Sequence, residues 1–103
     1  MSISNVELVY SNELRVFDEK GKVISQRSMR SEEQLIGVGV DFYATVLRRD
    51  LFVFDEKSRE IARKTIDGFE LKNVSGNTIN LKRGSTLYSF NKELKQINQR
   101  SIF

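Results

Sequence analysis

"LRVFDEKGKVISQRSM" (residues 14–29), "LFVFDEKSREIARKTI" (51–66) and "LYSFNKELKQINQRSI" (87–102) are three versions of one sixteen-residue phrase. They align without gaps, and their starts lie 37 and 36 residues apart. The first copy shares seven of sixteen residues with the second and seven with the third. Leu14, Leu51 and Leu87 open the phrase, Phe17, Phe54 and Phe90 follow, and Ile24, Ile61 and Ile97 recur further on. Basic residues hold two more positions, Lys22/Arg59/Lys95 and Arg27/Lys64/Arg100. A period of roughly 20–50 residues marks a repeat architecture, in which one unit cannot bury its apolar face and neighbours must cover it.

Each phrase reads as strand, turn, strand. "LRVF", "LFVF" and "LYSF" are rich in strand formers. Asp18, Asp55 and Asn91 come next, and their side chains can bond backbone N–H groups further along, which favours a turn. Gly21 supplies the left-handed conformation in the first copy. Ser58 and Leu94 replace it later, so a common turn type is not implied. A helix over "NKELKQINQRSI" is the competing reading, but its counterpart in the first copy holds Gly21 and the β-branched "KVIS". Further strand patterns precede each phrase, in "NVELVYSN", "DFYATVLRRD" and "NTINLKRGS", and earlier still in "QLIGVGV" and "GFELKNV". The unit is four short antiparallel strands, with the first copy lacking its leading strand. Leu51, Phe52, Val53 and Phe54 are apolar without alternation, which requires a strand covered on both faces.

The hydrophobic–aromatic–aspartate–turn runs "LRVFDEKGKVI" and "LFVFDEKSREI", with "NTINLKRGSTLYSFNKELKQI", resemble β-propeller blades. The resemblance covers nearly the whole chain. The tryptophan–aspartate signature is replaced by Phe17–Asp18, Phe54–Asp55 and Phe90–Asn91, so no subfamily is indicated. It implies an all-β single domain over residues 1–103, built of three four-stranded propeller-like repeats and forming half of a six-bladed propeller. The alternative is a β-trefoil, which also repeats three times and closes as a monomer.

The 103 residues carry 17 Lys/Arg and 14 Asp/Glu, with no Cys, His, Pro or Trp. Without His or Cys, the usual zinc sites and histidine-based triads are impossible. The net charge is −1 over residues 1–50 (seven basic, eight acidic) and +4 over 51–103 (ten basic, six acidic). Acids interleave the bases, which argues against nucleic acid as a partner. No apolar run is long enough to span a membrane, and the N-terminus lacks a secretory pattern, so a cytoplasmic protein is expected.

Candidate chemistry is sparse. Asp18–Glu19 and Asp55–Glu56 are read as solvated turns, because adjacent turn residues point apart instead of across a cleft. "GVGVD" (37–41) lacks the third glycine and the helix of a dinucleotide site and is read as close backbone approach in an inner strand. No catalytic, cofactor or metal residues are assigned. The expected function is a noncatalytic protein-interaction or scaffolding module that self-associates as a dimer. A ligand- or glycan-binding β-trefoil, or a hydrolase or lyase using Asp, Glu, Arg and Tyr, are the alternatives. Phe42, Tyr43, Lys82 and Arg83 are the candidate partner contacts. Leu14, Val16, Leu87, Phe90 and Phe103 are the candidate self-association residues, on the expectation that the end repeats expose apolar faces.

Overall fold

The structure, a computed structural model, describes residues 3–10 and 12–101. These residues form eleven strands in three antiparallel sheets. The first sheet holds β1 (Asn5–Val9), β2 (Glu13–Phe17) and β3 (Val23–Ser28). The second holds β4 (Gln34–Val38), β5 (Phe42–Leu47), β6 (Asp50–Asp55) and β7 (Glu60–Thr65). The third holds β8 (Glu70–Ser75), β9 (Thr78–Arg83), β10 (Thr86–Phe90) and β11 (Gln96–Ser101). Strands pair with their sequence neighbours inside each sheet, and among the described residues no pairing joins one sheet to another. Separate meanders of this kind suit propeller-like stacking and not the shared barrel of a trefoil. Among the described residues the first sheet has three strands and the other two have four, as the repeat pattern implies.

The phrase encodes one hairpin three times. Asp18, Asp55 and Asn91 each accept two backbone N–H bonds through Oδ1, from Lys20 and Lys22, Lys57 and Arg59, and Glu93 and Lys95, all at 2.9–3.0 Å. The backbone closes identically, with Gly21, Ser58 and Leu94 donating to the carbonyls of Asp18, Asp55 and Asn91. Those three residues all have positive φ, at 79°, 61° and 59°. The copies therefore share one turn despite their different residues, because the Asx side chain and the flanking strands hold the left-handed position open. Beyond it, each hairpin carries a bulge whose extra residue is the recurring isoleucine: Ile24, Ile61 or Ile97. The other bends follow suit. Tyr10, Arg48 and Gly84 have positive φ after β1, β5 and β9, and Glu32 and Gly68 have it between the sheets.

The second sheet lies between the other two. Phe52 and Phe54 of β6 pack toward the first sheet with Val6, Leu14, Val16 and Tyr43. Leu51 and Val53 pack toward the third with Phe42, Ala44, Ile79, Leu81 and Phe90. All four apolar residues of β6 are buried, as its unbroken hydrophobicity requires. Inner strands β4 and β8 come closest at Gly37. A Cβ there would lie 2.5 Å from Val74 Cβ, so the glycine permits the approach.

Two measurements check this account. Asp55→Ala should lower stability to urea by about 1–2 kcal/mol, whereas Asp55→Asn should cost less than half of that, because Asn91 already makes the same bonds in the third copy. Gly37→Ala should cost about 1–3 kcal/mol, since the clash falls on a Cβ fixed to the neighbouring backbone.

Candidate interaction faces

One docking pattern joins successive sheets. The leucine opening the phrase pairs across the hairpin with its second conserved cation, Leu14 with Arg27 and Leu51 with Lys64. Both leucines are fully buried. The cation then covers the phrase phenylalanine of the next sheet. Arg27 Cζ sits 4.0 Å from the Phe54 ring centroid, and Lys64 Nζ sits 5.5 Å from that of Phe90. A cation over an aromatic face gains from the ring quadrupole while the rest of the side chain covers apolar surface.

The third copy repeats the pattern without a neighbour. Leu87 pairs with Arg100 on the outward face of the third sheet; Leu87 is half-buried and Arg100 exposed. That face forms a shallow groove of about 460 Å³ lined by Lys72, Asn73, Asn80, Leu87, Ser89, Asn98 and Arg100. At the other end of the stack, Phe17 alternates with buried Val16 and so lies on the outward face of the first sheet. Arg15 shares that face, in an ion pair with Glu13 at 2.8 Å, and so does Glu7, opposite Arg15 in the β1–β2 register.

Several sequence-based expectations are corrected here. Phe42 and Tyr43 are fully buried on opposite faces of β5, so they are core residues and offer nothing to a partner. Leu14, Val16 and Phe90 lie between sheets, not on an end face. Lys82 and Arg83 diverge: Lys82 lies opposite Leu87 on the outward face, whereas Arg83 covers the inward-packed rings of Phe69 and Tyr88 at 4.6 and 5.4 Å. Leu87 alone of the self-association set lies on an outward face among the described residues; Phe103 falls outside them. The end faces are also more polar than expected. Ala44, Val46 and Val53 of the second sheet correspond to Asn80, Lys82 and Ser89 of the third. Phe52 corresponds to Arg15 of the first. Polar outer faces are the usual capping of stacked repeats.

The gap between the first two sheets holds a charge cluster that the repeat pattern does not announce. Glu33 has no exposed side-chain surface. Arg27 grips it with two bonds, Nη2 to Oε2 at 2.6 Å and Nη1 to Oε1 at 3.2 Å. The Arg30 backbone N–H and Nε donate to Oε1, and Thr45 Oγ1 donates to Oε2 at 2.6 Å. Arg27 Nε donates to Tyr43 Oη, which donates to Ser58 Oγ at 2.8 Å. Ser25 Oγ donates to the Glu56 carbonyl across the same gap at 2.6 Å. In the second gap Phe69 takes the place of Glu33: each precedes an inner strand, follows a positive-φ residue, and donates its N–H back three residues. The signal was a lone glutamate at a position otherwise aromatic.

These groups are engaged in structural bonds, Glu33 between sheets and Asp18 and Asp55 within their own turns. Burial pushes the Glu33 carboxyl up, but the bonds from Arg27, Arg30 and Thr45 outweigh it and hold it well below the usual range. Asp55 is likewise buried in part, yet held low by the Arg59 backbone N–H, the Arg59 guanidinium and Lys57. The Lys22 and Lys20 backbone N–H groups hold Asp18 low. Asp41, at the rim of a depression it shares with Asp55, Glu56 and Glu93, is bonded by Lys92 Nζ at 2.7 Å. Among the described residues, no group of three or more Asp or Glu is placed to hold a metal ion, and no helix is long and apolar enough to cross a membrane.

No protein-family model matches the chain, and no curated protein matches it by sequence. Among solved structures it is similar to the crystal structure of Kluyvelomyces marxianus Hsv2, a yeast β-propeller protein. The match has a TM-score of 0.56 at 15% identity and covers 97% of this chain and 39% of that one. The fold is therefore propeller-like, and the chain spans 39% of the length of that protein.

Glu33 and the turn aspartates make the fold acid-sensitive. Glu33, Asp55 and Asp18 are all depressed relative to the unfolded chain, so their stabilisation is complete above about pH 4.5 and is lost as pH falls below it. Melting temperature at fixed protein concentration should decline between pH 5 and pH 3 (roughly the carboxylate range), and less steeply in Glu33→Gln. That variant should cost about 3 kcal/mol at neutral pH. Glu33→Phe should cost at least as much, because a ring offers no acceptor to Arg27, Arg30 or buried Thr45.

Proposed function

We propose that the chain is a noncatalytic protein-interaction module, a three-bladed arc that works through the outward faces of its end sheets. One observation carries this reading. The leucine–cation face that docks each sheet on the next occurs a third time, at Leu87 and Arg100, on a face that no other sheet of the described residues covers. The buried ionisable cluster supports it too, since Arg27 of the first sheet is committed to Glu33 and Tyr43 of the second.

The arc self-associates as a dimer. Two three-bladed arcs make six blades, within the range of about four to eight at which propellers close. Because polar and charged residues surround the apolar ones on both end faces, Leu87 on the third sheet and Phe17, Val9 and Val23 on the first, the association is reversible and the monomer stays folded on dilution. An interface of this composition draws on charge complementarity and weakens with salt.

Sedimentation equilibrium across the micromolar range tests the proposal. The expected result is a concentration-dependent shift from 11.9 kDa toward twice that mass, reduced when salt is raised roughly tenfold. A compact monomer at every concentration in low salt would overturn it.

A further inference from the structure

The partner face for the third sheet is written in the chain. Inside it, the leucine–cation face of one sheet always receives the phrase phenylalanine of the next: Phe54 under Arg27, Phe90 under Lys64. The remaining phenylalanine of the set, Phe17, lies on the outward face of the first sheet. The remaining cation, Arg100, lies on the outward face of the third. We infer that the outward face of the third sheet docks the outward face of the first sheet of a second copy, with Arg100 covering Phe17 as Arg27 covers Phe54. This rests on the self-association proposed above and specifies its geometry: a head-to-tail contact, with two different faces meeting, and not one face meeting itself.

Two further features select this occupant. The third-sheet face carries Lys72, Lys82 and Arg100 against a single acid, Glu70, which lies 3.8 and 4.0 Å from the two lysines. The first-sheet face carries Glu7 and Glu13 against a single base, Arg15. Head-to-tail docking joins opposite net charges, whereas pairing two third-sheet faces opposes six cations with two acids, and like charges juxtaposed across an interface disfavour it. A head-to-tail contact must also close into a ring or grow into a filament. Two arcs close it.

The internal contacts supply a probe. Ser25 Oγ lies 2.6 Å from the Glu56 carbonyl across the first gap. The corresponding residues at the open faces are Asn98 and Glu19, both exposed. Their replacement leaves Arg100, Phe17 and the core untouched, and the chain has no cysteine of its own. Asn98→Cys and Glu19→Cys chains, mixed in equal amounts and treated with a short bis-maleimide, should give a covalent dimer of one chain of each kind. Asn98→Cys alone should give none above background. Arg100→Glu should separately raise the dimer dissociation constant about tenfold or more while leaving the far-ultraviolet circular dichroism unchanged. If Asn98→Cys alone cross-links as well as the mixture, or if the mixture fails while the unsubstituted chain sediments as a dimer, the head-to-tail assignment is wrong and self-association stands. If the unsubstituted chain is a monomer, the face serves a different partner and both proposals fall.

Discussion

A strand that is apolar on both faces needs two covers, and β6 is such a strand. Leu51 and Val53 cannot be buried by the sheet that buries Phe52 and Phe54, because successive side chains leave a strand in opposite directions. This one requirement places a sheet on each side of the second and sets three layers as the smallest stack. The outer sheets meet a weaker demand. Each buries only its inner face, so polar residues can occupy the other at no cost in core packing.

Stacking alone would leave sliding and rotation open. The two gaps fix them by different chemistry at the same position. Phe69 heads an aromatic cluster of the third sheet with Tyr88 and Phe90, and Lys64 of the second sheet reaches across the second gap to the rings of Phe69 and Phe90 at 5.7 and 5.5 Å. Glu33 in the first gap is held by two arginines and a threonine. An aromatic cluster tolerates small displacements, whereas a bidentate guanidinium–carboxylate pair is directional. The first gap is thus the stricter joint, and its stabilisation depends on charge. The backbone adds another tie, with the Ile3 N–H bonding the Val40 carbonyl and the Val40 N–H bonding that of Gly76.

Much of this was legible in the residues. The period, the hairpin in each copy, the double burial of β6 and the close approach at Gly37 all follow from local chemistry that each copy repeats or that glycine permits. What could not be read directly was the direction in which each end sheet faces. Alternation divides a strand into two faces but does not say which is covered, and so Leu14, Val16 and Phe90 were assigned outward. The clue lay in comparing copies: Val53 becoming Ser89, or Phe52 becoming Arg15, marks the uncovered side. Phe42 and Tyr43 drew attention because they do not repeat. They differ from Thr78 and Asn5, their counterparts in register, because only the second sheet is covered twice. Glu33 differs from its counterpart Phe69, but its burial could not be read from that alone, because the value of a buried charge depends on Arg27, Arg30 and Thr45, which come from separate segments.

Among the described residues, five other than glycine hold left-handed backbone: Tyr10, Glu32, Arg48, Ser58 and Leu94. Every one occupies a bend for which another copy supplies glycine, whether Gly21, Gly68 or Gly84. Side chains in that conformation cost about 1 kcal/mol apiece relative to glycine. The copies have therefore diverged away from the local optimum at different bends, and none carries all of the relaxed versions. Stability here is distributed unevenly among the blades as unrelieved strain, and the chain already contains, in its own neighbouring repeats, the residue that would relieve it at each bend.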